Sequence, residues 1–90
     1  MRAINRTTKF KRDYKRERRT DSALDDKLVH VIELLATNGP LPERLRDHPL
    51  GGDWKGYRDC HVKPDLVLIY AKSDEELTLV RLGSHAELFG

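Results

Sequence analysis

Cysteine is nearly absent. Cys60 is the only one in 90 residues, which excludes an internal disulfide and a cysteine-rich zinc site. Long apolar runs are missing too: the longest, Leu66 to Ala71, falls far short of the roughly 20 apolar residues a membrane-spanning helix needs. The basic opening MRAINRTTKFKRDYKR has no apolar segment behind its charges, so no secretory signal is expected and the chain reads as a cytoplasmic protein without membrane attachment. Aromatics are few, and apolar residues make up 38% of the chain against 36% charged. A chain this short and this ionic has material for one modest core, hence one domain spanning residues 1–90. There is no internal repeat, linker or low-complexity tract. The metal-ligand spacings HxH and HExxH are also absent.

What is present is an uneven distribution of charge. The net charge is only +2, but residues 1–19 carry nine Lys or Arg against Asp13 and Glu17. Residues 47–90 reverse the balance, with five cations against eight acids. A basic block confined to one element is the footprint of a phosphate-backbone binder, a surface for an acidic partner, or a solvated helix face.

Residues 1–6 read as a short edge strand. From Thr7 or Thr8 the pattern turns helical as far as Arg19, with Phe10 and Tyr14 one turn apart forming a narrow apolar stripe. Thr20-Asp21-Ser22 offers N-caps for a second helix, with Asp25 and Asp26 in the first turn, where the helix dipole favours acids. Leu24, Leu28, Val31, Ile32 and Leu35 keep the helical period, and Asn38-Gly39-Pro40 ends it with a left-handed cap. His30, beside that stripe, reads as structural or exposed. Leu41 to Leu45 suggests a short strand or extended arm. Pro49 holds His48 extended, and Gly51-Gly52-Asp53 turns the chain. Trp54 to Val62 then alternates as a strand, with Asp59 and His61 on one face and Arg58 and Cys60 on the other. Leu66 to Tyr70 is a continuous β-favouring run, the mark of a central strand buried on both faces. Glu76 to Leu82 forms the next strand, followed by a short helix or turn through Phe89. Two helices and then an antiparallel meander make an α+β fold.

Chemistry concentrates late in the chain. His61 and Asp65 flank Lys63-Pro64, so a hairpin is expected to bring them to cross-strand range, about 5 Å. His85 follows the strand carrying Arg81 and is expected near the same sheet end, with the 48–53 loop laying His48 over it. Three imidazoles, a carboxylate and an arginine suit phosphodiester cleavage by internal transesterification. One imidazole deprotonates the ribose 2′-OH, and another protonates the leaving 5′ oxygen. Arg81 neutralises charge on the phosphate. His48 reads as the base and His85 as the acid, a pair the sequence leaves interchangeable, with His61 and Asp65 as the supporting pair. His48, His61, Asp65 and His85 also compose a His/Asp metal site, though without a recognised spacing. Trp54, Tyr57 and Tyr70 read as packing residues, and Cys60 as inert.

The stretch DHPLGGDWKGYRDCHVKPDLVLIY from Asp47, followed by RLGSHAELFG, resembles the YafQ-type toxins of the RelE/ParE superfamily. The resemblance runs nearly continuously over residues 47–90 through the elements DHPL, GxWKGYRD, HVxPD, LIY and RxGxHAxLF. Over residues 1–40 only the two-helix layout agrees. It implies a RelE-like fold, with two N-terminal helices on a curved antiparallel sheet. It also implies a toxin of a type II toxin–antitoxin system: a ribosome-dependent endoribonuclease that cuts mRNA in the A site without a metal or other cofactor. The implied partners are mRNA on the ribosome and a DinJ-like antitoxin held in a hetero-oligomer. Carried over residue by residue, the functional positions fall on His48, His61, Asp65 and His85, with Arg81 contacting phosphate. Phe89 either stacks on a base of the codon or plugs the core. The alternative is a non-catalytic RNA- or DNA-binding module that retains the fold.

Overall fold

Five consecutive apolar residues, Leu66–Tyr70, sit at the middle of the molecule, each fully or almost fully buried. In the computed structural model, which describes residues 1–90, the elements in chain order are β1 (Ala3–Arg6), α1 (Thr8–Thr20), α2 (Leu24–Ala36), β2 (His48–Pro49), β3 (Arg58–Lys63), β4 (Leu66–Lys72), β5 (Glu76–Gly83) and α3 (His85–Phe89). The sheet order is β1-β5-β4-β3-β2. Strands β2 to β5 pair antiparallel, while β1 adds a parallel edge against β5. The expected α+β fold with two helices on an antiparallel meander is what forms. No helix is long and apolar enough to cross a membrane.

Because side chains alternate along β4, its two faces build two cores. Leu66, Leu68 and Tyr70 meet Phe10, Leu24, Leu28, Val31 and Leu35 of the two long helices. Val67 and Ile69 point the other way, to Leu88 of α3, with Leu50, Trp54, Tyr57 and Phe89 around them. Each fully buried leucine of this kind adds roughly 1.5–3 kcal/mol, which is how so ionic a chain holds together.

On the free edge of β5, α1 finishes what β1 begins. β1 reaches only as far as Leu79. Beyond it, the Thr7 hydroxyl donates to the Val80 carbonyl at 2.7 Å and also accepts from Phe10 N as the N-cap of α1. The Asp13 carboxylate accepts from Leu82 N at 3.0 Å, and Arg16 donates to Leu82 O at 3.2 Å. Buried ladder groups left by the short edge strand are thus satisfied by side chains of the helix that follows it. Gly83 closes this corner. A Cβ there would come within 3.3 Å of an Arg16 guanidinium nitrogen and 3.4 Å of a Leu88 methyl.

Several expectations are corrected. Leu41–Leu45 is not a strand: Pro42 leads into a 3-10 turn at Glu43–Leu45, after which Arg46 takes a left-handed conformation (φ 49°). The strand expected over Trp54–Val62 begins only at Arg58, because Gly52–Trp54 forms a 3-10 turn and Gly56, at φ +95°, reverses the chain. Trp54 and Tyr57 instead pack edge-on at 5.6 Å. Helix α2 stops at Thr37 in extended backbone, its hydroxyl donating to the Glu33 and Leu34 carbonyls, rather than on a left-handed Asn-Gly cap. At its start, the Asp21 side chain accepts from Ala23 N two residues on and caps no helical amide, while its carbonyl accepts from Leu24 N at 3.2 Å.

Candidate active site

Strand register sets where the expected site histidines lie. Across the sheet, His48 lies opposite Asp59, and Asp59 opposite Ile69. Ile69 in turn faces Arg81. One step along, His61 is opposite Val67 and Val67 opposite Gly83. Partners in register share a face, so His48, Asp59 and His61 come out on the side that α3 covers. His85 opens α3 directly behind Gly83, held by Ser84 and Glu87 in a reciprocal capping box.

On the face that carries His48 and His61 stands a residue the sequence reading left unassigned. Asp59 is only 2% exposed, and its Oδ1 is buried without a hydrogen bond. Burial pushes its carboxyl above the usual carboxylate value, against the opposing pull of His48, His61 and His85. Oδ1 lies 3.0 Å from His48 Nδ1, but that nitrogen aligns with the Arg46 carbonyl at 2.8 Å. A carbonyl can only accept, so Nδ1 carries the proton, and neutral His48 presents a bare Nε2. His61 is fixed in the same sense, its Nδ1 donating to the Pro64 carbonyl at 3.3 Å. Alternation along β3 does put Asp59 on the His61 face; nothing in the sequence says that this face becomes covered.

The loop carrying His48 is tied down from the opposite side. Asp47 accepts from the phenol of buried Tyr70 and forms an ion pair with Arg58 at 2.8 Å. Tyr70 is therefore more than packing. Cys60, next to Asp59, is fully buried; burial and the charges of Asp47 and Asp59 push its thiol up to about 12, so it is inert as expected.

Other expected pairings differ. His61 and Asp65 do not bond. A register shift between His61 and Lys63 puts Pro64 and Asp65 at the apex of the turn, where Asp65 is exposed. Arg81 is engaged already, its Nε donating to Asp13 at 2.7 Å and an Nη to the other oxygen at 3.4 Å. Its remaining N–H groups stay available. Phe89 is half-buried, packing on the small core while its ring lies 4.8 Å from that of His85, so the two expected roles are not exclusive. His30 is exposed and away from the others, against Arg44 at 3.2 Å. No three His, Cys, Asp or Glu side chains converge as a metal-ligand group.

Comparison with known proteins now adds to this geometry. A family model described as "Bacterial toxin of type II toxin-antitoxin system, YafQ" matches residues 2–90. The mRNA interferase toxin YafQ of Escherichia coli (strain B / BL21-DE3) is 43% identical over 91 residues, covering 100% of this chain and 98% of the relative. The crystal structure of the E. coli DinJ-YafQ complex superposes with a TM-score of 0.89 at 43% identity over 100% of both chains. A metal-bound toxin from Helicobacter pylori superposes equally well, with a TM-score of 0.89 at 46% identity over 99% of this chain and 100% of the other.

Proposed function

The chain belongs to the YafQ toxins of type II toxin–antitoxin systems, a family of mRNA interferases, and on that premise we propose that it cuts mRNA in the ribosomal A site by metal-independent acid–base transesterification. The observation that carries this reading is His48 held 3.0 Å from the buried Asp59 carboxyl, on the sheet face that also carries His61 and that α3, opened by His85, covers. His48, with Nδ1 protonated and Nε2 free, takes the proton of the ribose 2′-OH. The 2′ oxygen attacks phosphorus as the P–O5′ bond breaks, and His85 delivers a proton to the departing 5′ oxygen. A 2′,3′-cyclic phosphate remains. Positive charge gathers on His48 as it accepts the proton, and the Asp59 carboxylate behind it favours that change. His61 supports the substrate from the second register row. Arg81, oriented by Asp13, offers its free N–H groups to the phosphate, and the open face of Phe89 stacks on a base of the codon. Asp65 stands on the approach to the site rather than as a partner of His61.

The antitoxin is a DinJ-like protein, as in the E. coli complex, and the site of action is the cytoplasm, where the ribosomes are. The test is single-turnover cleavage on ribosomes programmed with mRNA, in parallel with an mRNA carrying a 2′-deoxy sugar at the cut. Parent protein should cut only the ribose substrate and leave a cyclic phosphate. The rate should rise and then fall with pH; His48→Gln should remove the acidic limb and His85→Gln the alkaline one. Cutting of the deoxy substrate, or parental rates in both variants, overturns the mechanism.

A further inference from the structure

A cleft of about 440 Å³ opens between the Glu43–Leu45 turn and the β3–β4 turn, lined by Arg44, Arg46, His61, Val62, Lys63 and Pro64. Three of these six side chains are cationic, and they are not equally committed. Lys63 is spoken for, its Nζ 2.9 Å from Asp21. Arg44 meets no carboxylate, only the His30 ring at 3.2 Å. Arg46 takes part in none of the molecule's ion pairs.

Arg46 is also the only non-glycine residue with positive φ, a conformation that disfavours any side chain with a Cβ. Its backbone is fully used: N–H donates to Glu43 O at 2.9 Å, and C=O accepts from His48 Nδ1. A glycine would serve that geometry with less strain, so what the position gains from arginine is the guanidinium. The same residue therefore orients the imidazole of His48 through its carbonyl and places an uncommitted positive charge in the adjoining cleft. His61 belongs to both places, lining the cleft and lying two residues along β3 from Asp59 on the same strand face.

We propose that this cleft is a phosphate subsite, gripping an internucleotide phosphate of the mRNA next to the one that is cut, with Arg46 and Arg44 as its two donors. Planar guanidinium groups match phosphate oxygens in shape and charge. A grip beside the cut explains how a small site keeps a flexible single strand aligned. The proposal rests on the ribonuclease reading. The same chemistry would accept a phosphate of ribosomal RNA, so the test must tell the two strands apart.

The experiment pairs the Arg44→Gln/Arg46→Asn double variant with mRNAs in which one phosphate at a time around the cut is replaced by a neutral methylphosphonate. Asparagine tolerates the left-handed backbone, so His48 keeps its anchor; Arg44→Glu/Arg46→Asp supplies a second, charge-reversed version. Melting temperatures near the parent's certify the fold. The toxin concentration for half-maximal cleavage should rise about tenfold in the neutral variant, the scale of one lost charge-assisted contact, and further in the reversed one. At one flanking position, methylphosphonate should cost the parent a similar factor and the double variant almost nothing. If variant and methylphosphonate effects multiply at every position, the partner is not the mRNA and the proposal falls to ribosomal RNA. Parental affinity in both variants overturns the subsite alone. A parent that leaves programmed ribosomes uncut sinks the ribonuclease reading and the subsite with it.

Discussion

Two buried aspartates, Asp59 on β3 and Asp13 on α1, carry opposite consequences for stability. Asp59 is held above the ordinary carboxylate value, burial being the largest cause, so folding favours its protonated form. The stability this form confers is present below the unfolded value of about 3.9 and is lost as pH rises through the higher folded value. At pH 7 the residue is a net cost. We predict that Asp59→Asn raises the melting temperature at pH 7 by about 4–8 °C, the equivalent of ~1 kcal/mol in a domain this size, with the gain shrinking toward pH 4. Single-turnover cleavage should fall about tenfold or more, since His48 loses the charge behind it. A stability gain without loss of rate would remove Asp59 from the mechanism. For Asp13, burial pushes the carboxyl up, but hydrogen bonds from Arg81 and Leu82 and the charges of Arg81 and Arg16 outweigh it and hold it low. Its stabilisation is full above the unfolded value and is lost as pH falls through the lower folded one. Asp13→Asn should therefore cost about 2 kcal/mol at pH 7, and the urea midpoints of parent and variant should converge below about pH 4.

Among the elements, α1 divides its cations between two tasks. Arg16 bonds Asp13 and Glu87 and the Leu82 carbonyl, so it clamps the helix to β5 and α3. Lys9, Lys11, Arg12 and Lys15, like Arg19, make no ion pair and belong to the free part of the basic block. Reversing these four should weaken ribosome or antitoxin binding with a steep salt dependence, measured as affinity across a salt series, while leaving the melting temperature near the parent's. Arg16→Glu should do the opposite, lowering the melting temperature first. Gly83→Ala, which presses a methyl onto Arg16 and Leu88, should cost roughly 1–3 kcal/mol and displace α3. Calorimetry and cleavage rate together check it. The elements themselves were largely legible in the sequence. The Phe10–Tyr14 stripe and the evenly spaced leucines of α2 carry a helical period, and the run at Leu66–Tyr70 is short, bounded by turns and rich in β-favouring residues. What stayed hidden was settled by tertiary contact. Trp54 alternates like a strand residue, yet the turn at Gly56 swings it into the small core. Asp59 looks like one more surface charge in a chain full of them until α3 covers its face. The Asp13–Arg81 pair joins residues 68 apart, a distance no local pattern spans.

For the whole molecule, the decisive question is which chemistry the three imidazoles serve. The H. pylori relative is described as metal-bound, and imidazoles that move protons also ligate metals. Toxin stripped of transition metals, assayed on ribosomes whose Mg²⁺ is maintained, should cut at the parental rate. Cutting lost on stripping and restored only by zinc or manganese would replace the proton-transfer mechanism with a metal-assisted one.

The parallel pairing of β1 with β5 joins the two ends of the chain, the Thr7 hydroxyl meeting a carbonyl 73 residues away. Contacts of such long sequence separation form late in folding, and here they also form late in synthesis. The first strand finds its neighbour only after the fifth has emerged, and His85 follows that strand. On the mechanism proposed above, the nascent chain lacks a complete site until β5 and α3 have been made. Nascent chains arrested before β5 has emerged should be open to protease along residues 1–20 and should cleave nothing, whereas release of the full chain should bring protection and activity together.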